Sequence, residues 1–323
     1  MIKWEKFCWL WIWDKKRRKK WRDEYRLPTH YNGRYIYRGQ DGCDQISAML
    51  NSGKPCLVTR FGMVELSVVS TVVQQLKKRR VLFSETTQNR FCQCAGFFPQ
   101  SDALYTRYAC EALKIVAQAD IMAAFNFRSI MEKEIITRYS PDATLIDLGS
   151  LCESAIECEN PWTRCLENKR VLVIHPFEKT IRAQYEKRHV LFRNPKVLPR
   201  FELTTLKAVQ GIGAKDIMGY RDWFDALDTM CRKIDAVDFD IALIGAGAYG
   251  MFLAHYVKKI GKQAIHTAGA TQLLFGIKGH RWMHEQPDFA QRLFNQHWVF
   301  PCDEDTPDHL HAITDVEGSP CYW

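Results

Sequence analysis

Several common catalytic signatures are missing from this 323-residue sequence. No Gly-x-Ser-x-Gly nucleophile elbow occurs, so the Ser/His/Asp arrangement of α/β-hydrolases is not spelled out. Twelve cysteines are present, yet none forms a Cys-x-x-Cys pair, and the tightest spacing is Cys92-x-Cys94. His280, His284, His297, His309 and His311 lack metal-site spacing as well. No apolar run approaches the roughly 20 residues that a bilayer-spanning helix needs. Internal repeats and low-complexity linkers are also missing. Cys56 and Cys231 sit among apolar residues and read as buried thiols. With no signal peptide, a reducing, cytoplasmic setting is expected.

What is present is a chain with an apolar fraction of 46%, enough for a full core, and a net charge of +8. The positive excess is concentrated in Lys15–Lys20 and Lys77–Arg80, and the remainder is close to balance. That distribution argues against a surface coated for nucleic acid. Trp4, Phe7, Trp9, Leu10, Trp11, Ile12 and Trp13 crowd the stretch just before the first basic run. Indole rings favour the headgroup region, and each neighbouring Lys or Arg gains about 1 kcal/mol against anionic lipid. Residues 4–22 are therefore expected to rest on the inner leaflet, which makes the protein peripheral at the inner membrane. A helix packed on the protein's own body or on a partner is the alternative.

From Cys56 onward, strands alternate with helices. Strands are expected at Cys56–Arg60, Asp120–Phe125, Thr144–Leu148, Arg170–Ile174, Ile241–Ile244 and Gln263–Thr267. Helices are expected from Gly62, over Asp102–Ala119, from Asn160–Pro161, over Glu178–Arg188 and over Arg221–Ile234. The stretch Val197–Lys207 reads as a loop over the site or a connector. This pattern predicts a Rossmann-like α/β fold, a mostly parallel sheet covered by helices on both faces. The expected division is a basic and aromatic segment over 1–38 and one catalytic unit over 39–323. Its two halves are about 39–165 and 166–323.

Ligands of such sheets bind beyond the carboxyl ends of the strands. Three strand ends carry chemistry. Arg60-Phe-Gly62 is followed by Glu65 in the first helical turn; Arg60 suits a phosphate, Gly62 a close approach, and Glu65 a proton transfer. The alternative is an Arg60–Glu65 pair at a helix start. His175-Pro176-Phe177 ends the second, where the histidine could contact phosphate, relay a proton, or sit satisfied in the core. Gly245-Ala-Gly247-Ala-Tyr249-Gly250 ends the third, the form of a phosphate-binding strand–turn–helix corner. Taken literally it is a dinucleotide fingerprint, but that needs an acidic residue after the next strand. Gln263–Thr267 runs instead into Gly269-Ala-Thr271 with no Asp or Glu nearby, and then into Lys278, His280, Arg281 and Trp282. An NAD(P)-dependent oxidoreductase is disfavoured for that reason.

Arg60-Phe-Gly-x-x-Glu65, Val171-Leu-Val-Ile-His-Pro-Phe177, Leu198-Pro-Arg-Phe-Glu202, Ile244–Gly250 and Ile265 through Thr271–Gly279 to Trp282 resemble the bacterial glycosyltransferases of the GT-D fold. The closing Val316–Trp323 is similar to the branch found in surface-polysaccharide gene clusters. The resemblance spans roughly residues 50–323 and implies sugar transfer from a nucleotide-sugar, typically a UDP-sugar, to a glycan or lipid-linked acceptor. It further implies a donor diphosphate held by the glycine turn (Gly245, Gly247, Gly250), Gly62, Arg60 and Lys278 or Arg281. Glu65 would serve as base or metal ligand and His175 as the second candidate, with Tyr249 or Trp282 stacking on base or sugar. Members of the wider fold often carry an Asp-x-Glu pair associated with Mn²⁺ or Mg²⁺. Here Met63 stands where the aspartate would be, and a thioether is a poor ligand for such hard cations. Two expectations follow: a metal held by Glu65 and the donor's phosphates, or cationic side chains in its place. A catalytically impaired nucleotide-binding scaffold at the membrane is the remaining alternative.

Overall fold

The structure, a computed structural model, describes residues 29–76, 81–124, 130–211, 217, 219–306 and 322–323. The aromatic and basic segment over 4–22 and the Lys77–Arg80 run lie outside the described residues.

Short aliphatic runs closed by polar residues form the strands. They are β1 (His30–Tyr31), β2 (Arg34–Tyr37), β3 (Cys56–Arg60), β4 (Ile121–Ala124) and β5 (Thr144–Asp147) in the first half. The second half supplies β6 (Arg170–His175), β7 (Glu202–Lys207), β8 (Ile241–Ile244) and β9 (Gln263–His266). They join in one nine-stranded sheet, ordered β1-β2-β5-β4-β3-β9-β8-β6-β7. Only β1 and β2 run antiparallel; the other pairings are parallel. Strands from the first half occupy one side of the β3–β9 seam and strands from the second half the other.

The longer helices are α1 (Gly39–Asn51), α2 (Met63–Gln75), α3 (Glu85–Ala95), α4 (Asp102–Val116) and α5 (Ile130–Tyr139). They continue with α6 (Glu178–Tyr185), α7 (Trp223–Asp235), α8 (Gly250–Lys259), α9 (His280–Glu285) and α10 (Pro287–Leu293). Side-chain oxygens of Ser84, Ser101 and Asp222 cap α3, α4 and α7 by accepting a backbone N–H three residues on.

Alternate residues of each strand feed two separate cores. Leu57, Met122, Leu172, Ala242 and Ile244 face α2, α3, α4, α7 and α8. Val58, Ile121, Val173, Leu243 and Ile265 face α1, α6 and the Trp162 turn. A sheet buried on both faces needs apolar residues at successive positions, which is why these strands read as continuous runs rather than as alternating ones.

Charged groups are paired along the amino edge of the sheet. Asp120 accepts from Leu57 N and bridges to Lys258 Nζ at 2.7 Å. Arg170 holds Asp240, with Nη2 2.6 Å from Oδ1. These groups fix strand starts and leave the carboxyl edge to carry the chemistry.

Three expectations are corrected here. Residues 30–37, grouped by composition with the N-terminal segment, belong to the α/β body through β1 and β2. The last part of Val197–Lys207 is neither loop nor connector but the edge strand β7, in register with β6 from Arg170↔Glu202 to His175↔Lys207. An edge strand keeps one flank in water and tolerates the polar residues that hid it. The proline-led helix from Asn160 is only a short 3-10 turn, Trp162–Leu166.

Candidate active site

Four neighbouring strand ends, those of β3, β9, β8 and β6, form the carboxyl edge beside the seam. They carry Arg60, His266, the glycine turn and His175. The three strand ends singled out in the sequence are thus brought together, with His266 inserted between Arg60 and the glycine turn.

Gly62 is the N-cap of α2 and Glu65 its third residue. A Cβ on Gly62 would collide with the Glu65 carboxylate, so the missing side chain lets that carboxylate fold back over the helix start. Burial raises the Glu65 carboxyl above its usual range; its own backbone N–H and the charge of Arg60 offset this in part. Arg60 donates from Nε to Phe61 O at 2.7 Å. Behind Glu65 stands the buried Tyr108, whose hydroxyl donates to Ala248 O in the glycine turn at 3.5 Å. Desolvation holds that phenol well above its ordinary pKa, and the Glu65 charge adds to the shift. Glu65, Arg60 and the turn therefore share one electrostatic neighbourhood.

His266 is buried, with Nδ1 3.1 Å from Thr59 Oγ1. Burial and the nearby Arg60 push its pKa down to about 3, so it is neutral. His175 is also neutral, pushed down to about 3 by burial alone. Its Nδ1 accepts the Phe177 N–H at 3.0 Å, so the ring proton sits on Nε2. That tautomer presents a donor and has its lone pair already engaged, which corrects the general-base expectation for His175. It suits a hydrogen bond to a phosphate oxygen instead.

The glycine turn is built as expected, a 3-10 turn over Gly247–Tyr249 leading into α8. Its glycines also answer to packing. A Cβ on Gly245 would lie 2.5 Å from each of Ala268 O, His175 Cδ2 and Thr271 Oγ1. One on Gly250 would strike His266 Nε2. Gly247 has a φ of 50°, and its added Cβ would stand 3.1 Å from Ala95 O.

Both stacking candidates are corrected. Tyr249 is 2% exposed, and its ring lies on Trp223, with centroids 4.5 Å apart and planes 4° apart. Trp282 is equally buried at 2%, with Nε1 donating to Glu153 Oε1 at 3.1 Å. Neither ring is open to a base or sugar. Lys278 lies with Nζ 5.9 Å from the Phe300 centroid, and no described contact joins it to Arg60 or Glu65.

Arg281 does reach the site. The buried Cys152 thiol lies in the combined field of Glu153, Arg60, Arg281 and Asp147, and its pKa is raised chiefly by burial. Its Sγ points to Thr267 O at 3.8 Å, just past the end of β9. Cys152 thus feels charges from the end of β3, from α9, from the end of β5 and from the segment just after it. Arg281 also donates to the Tyr322 hydroxyl at 3.3 Å. Cys152 and Asp147 were not signalled in the sequence, because each is distant along the chain from the motifs; His266 and Tyr322 lie inside the matched stretches Ile265–Trp282 and Val316–Trp323 but were given no role there.

A resident Mg²⁺ or Mn²⁺ does not fit the donors present. Met63 is 41% exposed and offers sulfur, Glu65 faces the Arg60 cation, and Asp147 Oδ1 accepts from the Ser150 amide and hydroxyl. Among the described residues, no three His, Cys, Asp or Glu side chains gather as a metal site.

A solved selenomethionine-substituted structure, described as domain of unknown function 1792, resembles the chain with a TM-score of 0.43 and 10% identity. It covers 82% of this chain and 94% of its own. No curated protein matches. Residues 39–271 match the family described as GT-D fold-like domain, and the chain belongs to that family.

Proposed function

We propose that this chain is a glycosyltransferase that moves a sugar from a nucleotide-sugar, of the UDP class, to a glycan or lipid-linked acceptor of bacterial surface polysaccharide. Membership of the GT-D fold-like family over 39–271 is the observation that carries this reading. The cluster at the carboxyl edge supports it. In the reaction, an acceptor oxygen attacks the anomeric carbon, the bond from that carbon to the diphosphate oxygen breaks, and the acceptor's proton must be taken up. Negative charge builds on the departing diphosphate, and fixed cations and N–H donors there lower the barrier. Arg60, Arg281, the Nε2–H of His175 and the backbone of the glycine turn fill that role. Glu65 takes the proton. Its raised pKa makes it a stronger base than an ordinary carboxylate, and general-base catalysis contributes about 10²–10⁴-fold. Cations from the protein stand where a metal would otherwise neutralise the leaving group.

Residues 4–22 complete the proposal by docking the enzyme on an anionic membrane surface, where a lipid-linked acceptor would reside. Among the described residues, no helix is long and apolar enough to cross a membrane.

The test is a thermal-shift screen against UDP, GDP, CMP, TDP and NAD, with and without Mn²⁺. A ligand at 100 times its Kd adds about 2.7 kcal/mol of stability. Stabilisation by one nucleoside diphosphate, unchanged by Mn²⁺, is the expected result. Silence from every diphosphate, or a response to NAD alone, overturns the reading.

A further inference from the structure

The proposed donor carries a flat base, and the two aromatic residues that sequence motifs offered for it are sealed in the core. The half-buried Tyr322 stands at the same strand ends. One edge of its ring crosses Gly269, where an added Cβ would strike Cε1, so the glycine leaves the space the ring fills. Its hydroxyl receives Arg281 Nη1 at 3.3 Å, and its carbonyl receives Gln272 Nε2 at 3.2 Å. Trp282 and Trp323 meet the ring edge-on, with interplanar angles of 60° and 79°.

The neighbouring Trp323 acts as an anchor. It is 5% exposed, its Nε1 donates to Asp305 O at 3.2 Å, and its indole packs on Phe177 with centroids 5.6 Å apart. His280 Nδ1 bonds the Trp323 carbonyl oxygen. Contacts from Phe177, α9 and the turn at Gly269 therefore fix one tyrosine ring beside Arg281. Phe300 is an exposed ring nearby, but it carries Lys278 and His280 against it and has no described link to Arg281.

We infer that Tyr322 is the nucleobase platform of the donor site, its ring stacking on the base while Arg281 and Arg60 hold the diphosphate. This rests on the glycosyltransferase reading above. A tyrosine suits the task because it brings a large rigid face with few rotatable bonds, and base stacking tolerates any base.

The test uses the full chain and compares Tyr322→Phe with Tyr322→Leu, since leucine fills space over Gly269 but offers no aromatic face. Affinity for UDP and for pyrophosphate is measured by calorimetry, with Tm as the folding control. Tyr322→Phe should bind UDP like the parent, and Tyr322→Leu should bind it about tenfold more weakly, the scale of one stacking contact. Pyrophosphate affinity should be the same in all three. Unchanged UDP affinity in Tyr322→Leu overturns the platform. Tighter binding overturns it too, by making the ring an occluding plug. An equal loss for pyrophosphate overturns it in favour of a tyrosine that only positions Arg281. A parent chain that binds no nucleoside diphosphate brings down the glycosyltransferase reading itself, and the platform falls with it.

Discussion

Glu65 combines two opposed demands in one side chain. Burial raises its pKa, so the fold disfavours its ionised form relative to water, yet a base must be ionised to work. Glu65→Gln should abolish transfer by at least about 10²-fold. The same variant should raise Tm at neutral pH and bind UDP as before, because it removes a desolvated charge without removing a phosphate contact. Near-normal turnover would remove Glu65 from the mechanism. In the parent, kcat should fall on acidification through a pKa above the usual carboxylate range. His175 and His266 set the stability profile from the other direction. Both have folded pKa values of about 3, against about 6.5 when unfolded. Only the unfolded chain binds their protons in that window, so their contribution is complete above about pH 6.5 and is lost toward pH 3. Each adds a slope of up to about 1.4 kcal/mol per pH unit. His255, also depressed, acts in the same sense; Glu65 opposes it, gaining stability as it protonates. Urea melts between about pH 7 and pH 5 should steepen for the parent and flatten for His175→Gln. A parent whose stability falls no more steeply than that of His175→Gln over that range would refute the buried, neutral His175.

At the scale of elements, the glycine turn has two explanations that one variant separates. Gly245 approaches Ala268 O, His175 and Thr271 so closely that a methyl group must displace backbone. Gly245→Ala should therefore cost about 1–3 kcal/mol by overpacking, read by chemical denaturation. A variant that keeps full stability but loses UDP binding would show that the glycine serves a ligand alone. Which strands were legible follows from the same packing. β3, β4, β6, β8 and β9 are buried on both faces and announce themselves as aliphatic runs. β7 and β2 lie near the rims of the sheet, and their Thr, Tyr and Arg residues carry no such signal. The turn at Gly245 was legible as a turn. That Tyr249 would turn inward onto Trp223 was not, since a side chain's direction depends on α7, which is sequentially remote.

At the scale of the molecule, Arg60 and the glycine turn were findable because each is a strand end written as a local motif. The shared field of Arg60, Asp147 and Arg281 at Cys152 was not, because it exists only when elements from both halves meet across the β3–β9 seam. The proposed membrane foot is the opposite case, legible from composition alone in residues 4–22, which lie outside the described residues. In the full chain, Trp9, Trp11 and Trp13 changed to Ala, or Lys15–Lys20 reversed in charge, should release the protein from phosphatidylglycerol vesicles in a flotation assay. Each basic residue near an anionic surface contributes about 1 kcal/mol, so reversing six should abolish binding at physiological salt. Added salt should weaken the parent's binding by screening the same attraction. UDP affinity and Tm should stay at parental values in both variants, because neither alters Arg60, Glu65 or Arg281. Vesicle binding that survives both changes would move the anchor elsewhere on the molecule. A loss of UDP affinity with it would mean that the segment packs on the body and contributes to the site.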